Sequence, residues 1–212
     1  MDITYIGHAC FLIKFDTGLT VCFDPYKEGS VPGLGPTDVE AHEVFCSHSH
    51  NDHNDFESVM SPAEPYTGRE PEIDIIKTFH DDVQGAARGR NNITIVKVGG
   101  EKVVHMGDIG CDITEEQLDR MRGADLLLIP VGGFYTINCR MAYQMTNRIN
   151  PKAVVPMHFS GDRFGYSQIS RRDEFVNLVE DAGDRRIING GSHIGHLPDE
   201  KSLVIMEPLR IL

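Results

Sequence analysis

Four side chains able to hold a metal ion fall within six consecutive positions, His48 to His53, inside the run Val44-Phe45-Cys46-Ser47-His48-Ser49-His50-Asn51-Asp52-His53-Asn54-Asp55-Phe56. The apolar Val44-Phe45-Cys46 reads as the end of a buried strand, and the Asn/Asp-rich tail as the loop after it. Residues two apart in an extended chain point to the same side, so His48 and His50 can face one ion. Asp52 and His53, past the bend, can face a second. Imidazole nitrogen and carboxylate oxygen without thiolate suit zinc in a catalytic setting, because closed structural zinc sites favour cysteine. A histidine-rich surface loop is the bland alternative, and the spacing directly after an apolar strand argues against it.

Three later residues also sit just past strand ends, where an α/β scaffold exposes its functional groups. His80 follows Ile73–Phe79, Asp108 follows Val103–Gly107, and His158 follows Val154–Met157. Each alone reads equally well as a capping Asp or a locally bonded His. Three such residues together are harder to dismiss.

His48-Ser49-His50-Asn51-Asp52-His53 resembles the His-x-His-x-Asp-His signature of the metallo-β-lactamase superfamily. His80-Asp81-Asp82 with Gly85, Arg88-Gly89 and Asn91 is similar to the lactonase-like and phospholipase D-like branch of it. So are His105-Met106-Gly107-Asp108, Pro130-Val131-Gly132-Gly133-Phe134-Tyr135-Thr136 and Pro156-Met157-His158-Phe159, and Gly7-His8-Ala9 and Asp24-Pro25 fit the opening hairpins. The similarity spans roughly residues 3 to 160. It implies an α/β fold, an αββα sandwich with a dinuclear site at one edge, here a single domain over residues 1–212. It further implies His48, His50 and His80 on a first metal, Asp52, His53 and His158 on a second, and Asp108 bridging them. The cofactor expected is a pair of divalent ions, Zn2+ first, with Mn2+ or Fe2+ as alternatives. A Glu at position 50 would have suggested the oxygen-reducing diiron branch; histidine there favours hydrolysis.

Two such ions would bring a bridging water to hydroxide near neutral pH and polarise the scissile oxygen. Asp52 is expected to orient that hydroxide or take its proton. His105 is the second catalytic candidate, through substrate contact or by orienting Asp108. His8 and Tyr135 are candidates for substrate contact, and Arg88 and Arg90 could meet an anionic group. His193 and His196, in Gly190-Gly191-Ser192-His193-Ile194-Gly195-His196, look like a further metal motif but fall outside the matched blocks.

The elements that must position these groups are set by local pattern. Strands are expected around Ile3–Ile6, Phe11–Phe15 and Leu19–Phe23, with Asp16-Thr17-Gly18 as a hairpin turn. Residues 27–41, rich in Gly and Pro, form a loop long enough for a functional lid. Ile93–Val98 and Lys102–Met106 form a second hairpin turning at Gly99-Gly100. The capping box Thr114-Glu115-Glu116-Gln117 opens a helix over 115–122. Ala124–Val131 and Ala153–Met157 read as strands buried on both faces. Further helices are expected near 138–149 and 170–182, and Leu203–Met206 closes a sheet.

Composition bounds the rest. With 212 residues, 40% hydrophobic and 25% charged, one soluble α/β domain is the natural reading. Twenty basic against 32 acidic residues leave a net charge of −12, which argues against nucleic acid as partner. No signal peptide or membrane-length apolar run is visible, and five scattered cysteines suit a reducing compartment, so a cytoplasmic location is expected. The expected partner is a small, anionic substrate, with a homo-oligomer left open. The reaction expected is hydrolysis of a small anionic ester or lactone. A phosphodiesterase of the same fold and a metal-binding protein without turnover are the competing readings.

Overall fold

Alternating polar and apolar residues put the first three strands, β1 (Asp2–Gly7), β2 (Cys10–Lys14) and β3 (Thr20–Phe23), into an antiparallel meander. Ile3, Tyr5, Phe11, Ile13, Val21 and Phe23 turn inward and are buried, while Asp2, Thr4, Leu12, Lys14 and Thr20 face outward and keep some exposure. The computed structural model describes residues 1–212. β4 (Val39–Glu40) and β6 (Val59–Met60) make a two-stranded parallel ladder, and β5 (Glu43–Phe45) joins β3 in parallel.

A second sheet begins with β7 (Glu72–Phe79), β8 (Arg90–Val98) and β9 (Glu101–His105), an antiparallel run that turns at Gly99-Gly100 as expected. Its parallel half alternates with helices: α1 (Glu115–Met121), β10 (Leu126–Pro130), α2 (Cys139–Ile149), β11 (Ala153–Met157), α3 (Asp173–Ala182), β12 (Arg186–Gly191) and β14 (Ser202–Met206). Between the last two, the short β13 (His193–Ile194) crosses back to pair with β1. The strand orders are β13-β1-β2-β3-β5 and β12-β14-β11-β10-β9-β8-β7. β10 and β11 are buried along their whole length, as their unbroken apolar sequence requires.

The sheets stack face to face. His105, on β9, lies parallel to the Phe23 ring at 5.1 Å and donates from Nε2 to the Ala9 carbonyl, joining the two layers through one side chain. All three α-helices fall within the parallel βαβ crossovers of the seven-stranded sheet; none lies in the first sixty residues. The two stacked sheets with their helices form the α/β sandwich expected from the sequence. No helix is long and apolar enough to cross a membrane.

Two local expectations change. The segment 27–41 is not a free lid: Val31, Leu34 and Val39 are buried, and the C-terminal residues pin it through Gly35 N–H to Arg210 O (2.7 Å) and Leu212 N–H to Gly33 O (3.0 Å). Helix α3 starts at Asp173 rather than 170, because Ser170 gives its N–H to Gly132 O and its carbonyl to Ser160 N–H. Those bonds hold residue 170 outside the helical ladder. β12 and β13 have no strong apolar pattern, so local sequence does not announce them.

Candidate metal centre

β5 delivers the chain to Ser47, and Asp24, at the end of β3, anchors the histidine loop that begins there. Asp24 sits in the left-handed region (φ +44), which aspartate tolerates better than most side chains. Its buried carboxylate accepts from Ser47 N–H (2.6 Å), Ser47 Oγ–H (2.6 Å) and His53 Nδ1–H (2.7 Å). Burial alone would raise this acid, but the imidazoles of His105 and His53 hold it below the usual carboxylate value.

These bonds dictate tautomers. With Nδ1 of His53 committed to Asp24, its Nε2 is the nitrogen turned inward, buried and available to a proton or a metal ion. Since Ser47 Oγ spends its proton on Asp24, it accepts from His48 Nδ1 (2.9 Å), leaving His48 Nε2 as the lone-pair nitrogen, turned toward His50. His80 Nδ1 donates to the Tyr135 carbonyl (3.0 Å), which likewise turns Nε2 inward. Metal-binding histidines are oriented in this way, one ring nitrogen tied and the other offered.

The offered atoms converge on Asp108. Its Oδ2 lies 3.2 Å from His53 Nε2, 3.2 Å from His80 Nε2 and 3.1 Å from His158 Nε2, while Oδ1 is buried with no partner. The backbone N–H of Asp108 is held by Asn91 Oδ1 (2.8 Å), whose Nδ2 donates to Thr78 Oγ1 and Met106 O. Gly107, at φ +54, passes so close that a Cβ there would stand 2.3 Å from Asn91 Oδ1 and 2.4 Å from Ser47 Cβ. Gly132 allows a similar approach, since its Cβ would lie 2.2 Å from the His158 carbonyl.

Three groups of donor atoms, each within 4.8 Å of one another, result: His48, His50 and His80; His48, His53 and Asp108; and His8, Asp52, His53 and His158. His48 Nε2 and His50 Nδ1 are 3.0 Å apart. Burial and the neighbouring His53 push His48 down to about 3, so it is a neutral, lone-pair donor at neutral pH. His53 is raised instead: burial opposes its charge, but the carboxylates of Asp108 and Asp24 outweigh burial. A cation is favoured at that point, and the site offers it unpaired nitrogen and oxygen atoms without a thiolate. The donor set fits divalent metal.

The fold thus brings all seven expected ligand positions, His48, His50, Asp52, His53, His80, Asp108 and His158, to one place, with Asp108 between the two groups. His8 joins them from the β1–β2 turn, its Nε2 3.3 Å from Asp52 Oδ2. It is buried and lies behind Asp52, so it backs a candidate ligand instead of lining the open pocket where a substrate contact was expected. Burial and the nearby His158 push it down to about 4. Tyr135 does line the pocket, a cavity of about 290 Å³ shared with His50, Asp52, His80, Arg88 and Tyr166.

His105 does not reach that pocket. Its Nε2 is bonded to Ala9 O and its Nδ1 accepts from Gly107 N–H (3.1 Å), so neither ring nitrogen is available to substrate. The expectation of a catalytic His105 is corrected to an inter-sheet brace behind Asp24, 4.0 Å away. His193 is likewise a surface brace, 3.0 Å from Thr4 Oγ1, and takes no part in the centre.

Two residues of the site carry no clear mark in the sequence. Asp24 reads there only as the end of a hairpin; its signal is an acid at a strand end facing an excess of histidine. Tyr166 shares its hydroxyl between Ser30 O (2.7 Å) and Asp52 Oδ2 (3.3 Å). It lies beyond the matched blocks and 114 residues from Asp52, and no local pattern marks it.

Comparison with known proteins agrees with the geometry. The family of β-lactamase superfamily domains matches residues 2–158. A metal-dependent hydrolase from Staphylothermus marinus is 27% identical over 88% of this chain and 94% of its own. The crystal structure of a candidate Zn-dependent hydrolase of the metallo-β-lactamase superfamily from Thermotoga maritima superposes with a TM-score of 0.75 at 29% identity, covering 97% of this chain and 98% of that one. A metallo hydrolase from Ignicoccus hospitalis shares the fold at a TM-score of 0.66 and 21% identity, over 98% of this chain and 95% of its own. The chain belongs to the metallo-β-lactamase superfamily.

Proposed function

We propose that the chain is a metal-dependent hydrolase that opens a small anionic ester or lactone at a pair of divalent ions. The observation that carries this reading is the convergence of two donor groups on the single carboxylate of Asp108. His48, His50 and His80 would hold one ion, and Asp52, His53 and His158 the other, with Asp108 common to both. The nitrogen and oxygen character of these donors favours Zn2+, with Mn2+ or Fe2+ as alternatives. Bound there, two divalent ions supply the acidity that brings water toward hydroxide near neutral pH and polarise the oxygen of the bond to be broken.

The chain's own groups supply the rest. Asp52 lines the cavity, and although burial would raise it, the hydrogen bond from His8 and the charge of His53 hold it far below the usual carboxylate value. It stays anionic, which suits a metal ligand that orients the attacking water. Tyr166 and His8, both within 3.3 Å of Asp52 Oδ2, fix its orientation. Tyr135 and Tyr166 wall the cavity with aromatic surface, which excludes water from one side of a bound substrate.

The reading is tested by metal content and turnover together. Protein purified without chelator should carry about two equivalents of metal and hydrolyse members of a panel of aryl esters, lactones and bis-(p-nitrophenyl) phosphate. Asp108→Ala should lose metal and turnover together. Wild-type turnover confined to the phosphodiester would move the substrate class to phosphodiesters. Two tightly held equivalents with no turnover on any class would favour a binding protein.

A further inference from the structure

Arg88 stands apart from the other groups around the cavity. Its side chain lines the same space as His50, Asp52 and His80, with the guanidinium carbon 5.6 Å from the Tyr135 ring centroid. Its guanidinium makes no salt bridge and no hydrogen bond within the chain, in a protein with 32 acidic residues against 20 basic ones. A half-buried guanidinium with a flat aromatic beneath it keeps its fork of N–H donors directed at whatever enters the cavity.

Its position is not left to chance. The carboxylate of Asp81 accepts four backbone N–H groups from the loop that carries Arg88: Val83 (3.0 Å) and Gly85 (2.7 Å) on one oxygen, Ala87 (3.0 Å) and Arg88 (2.7 Å) on the other. The loop closes through Gly89 N–H to Gly85 O (2.9 Å) and His80 N–H to Gly89 O (3.1 Å). One clamp therefore ties Arg88 to the backbone of His80, so the cation and a candidate metal ligand keep a fixed relation. Such a device has a use if two parts of one molecule must be held at once, the bond to be broken and a second, charged group.

We propose that Arg88 is the anion-binding residue of the pocket, that it takes a carboxylate or phosphoryl group of the substrate distinct from the bond that is cleaved, and that Asp81 is its positioning residue. This rests on the hydrolase reading above for the word substrate, but the anion site itself stands on the unpaired guanidinium and its clamp. Arginine presents two parallel donors to either oxyanion, whereas a neutral analogue leaves those donors unpaired.

The test is calorimetric titration of the zinc-loaded protein with benzoate, with benzamide as its neutral counterpart, and with phenyl phosphate. Wild type should prefer benzoate over benzamide, and Arg88→Gln should shrink that preference by about tenfold to a hundredfold, the scale of charge-assisted hydrogen bonds. Arg88→Lys should recover part of it, and Asp81→Ala should lower it while Arg88 is still present. Whichever anion loses more in Arg88→Gln identifies the carboxylate or phosphoryl source. A benzoate preference unchanged in Arg88→Gln, or no anion binding by wild type at millimolar concentration, would overturn the proposal and leave Arg88 as a brace for Tyr135. Turnover of phenyl acetate, a neutral ester, by the wild-type protein reports separately on the hydrolase reading.

Discussion

Asp24 Oδ2 and His53 Nδ1 lie 2.7 Å apart, and that contact sets which nitrogen His53 turns toward Asp108. Asp24 itself lines no part of the cavity and belongs to none of the three donor groups. It works by holding Ser47 and His53, and through Ser47 the ring of His48.

Asp24→Asn should therefore weaken metal binding without touching a ligand. An amide in that place cannot accept from all three donors, so one of Ser47 N–H, Ser47 Oγ–H or His53 Nδ1–H is left unpaired. Loss of such an outer partner typically costs about tenfold to a hundredfold in affinity. Competition with a fluorescent zinc chelator measures it, and an unchanged affinity would mean that Asp24 has no part in orienting the ligands.

The metal-free protein should be most stable near pH 6.5, the ordinary histidine value. His53 and His80 are raised on folding, against burial, by Asp108 and, for His53, Asp24; their contribution is complete below 6.5 and is lost as pH rises through their folded values. His8 and His48 are lowered, by burial first, to about 4 and about 3, so the unfolded chain binds their protons sooner and stability falls as pH drops from 6.5 toward those values. Zinc takes the place of the protons on His53 and His80 and should flatten the alkaline limb. Unfolding midpoints at several pH values, with chelator and with zinc, show the profile; a monotonic curve for the chelated protein would contradict it.

Gly107→Ala should be among the most damaging small substitutions in the chain. It places a methyl 2.3 Å from Asn91 Oδ1 and 2.4 Å from Ser47 Cβ, at a φ of +54 that alanine resists. The backbone strain alone is about 1–3 kcal/mol, before any shift of Asn91 or Ser47. Denaturant unfolding should show that loss, and metal content should fall with it, because Asn91 holds Asp108 and Ser47 holds His48.

His105→Phe should leave turnover close to wild type for the fraction that folds, while lowering stability. The ring still fills the space against Phe23, but Ala9 O and Gly107 N–H lose their partners, at about 1–3 kcal/mol for each buried group left unpaired. If turnover per bound metal fell by orders of magnitude, His105 would belong to the chemistry after all.

Much of the architecture is legible from the chain alone. The pairing of β1, β2 and β3, the hairpin at Gly99-Gly100, the helix opened by Thr114 and the buried β10 and β11 are all written in local pattern, because alternation, capping and apolar runs act over a few residues. The seven candidate ligands are legible for a related reason: each lies at a strand end, and four fall within one short stretch. Residues that act at a distance are not legible. Asp24 meets His53 across 29 positions and Tyr166 meets Asp52 across 114, and no periodicity connects them.

Sequence by itself determined which atoms could hold a metal and that strands would carry them to one edge. Only the tertiary structure decided which nitrogen each histidine offers, because that depends on the partner of the other nitrogen: Asp24 for His53, Ser47 for His48, the Tyr135 carbonyl for His80. It also decided that His105 braces two sheets and that Arg88 faces the cavity unpaired. An imidazole or a guanidinium has the same composition in a core, on a surface or in a site. Its role is set by the groups that folding leaves within hydrogen-bonding distance, and those come from remote parts of the chain.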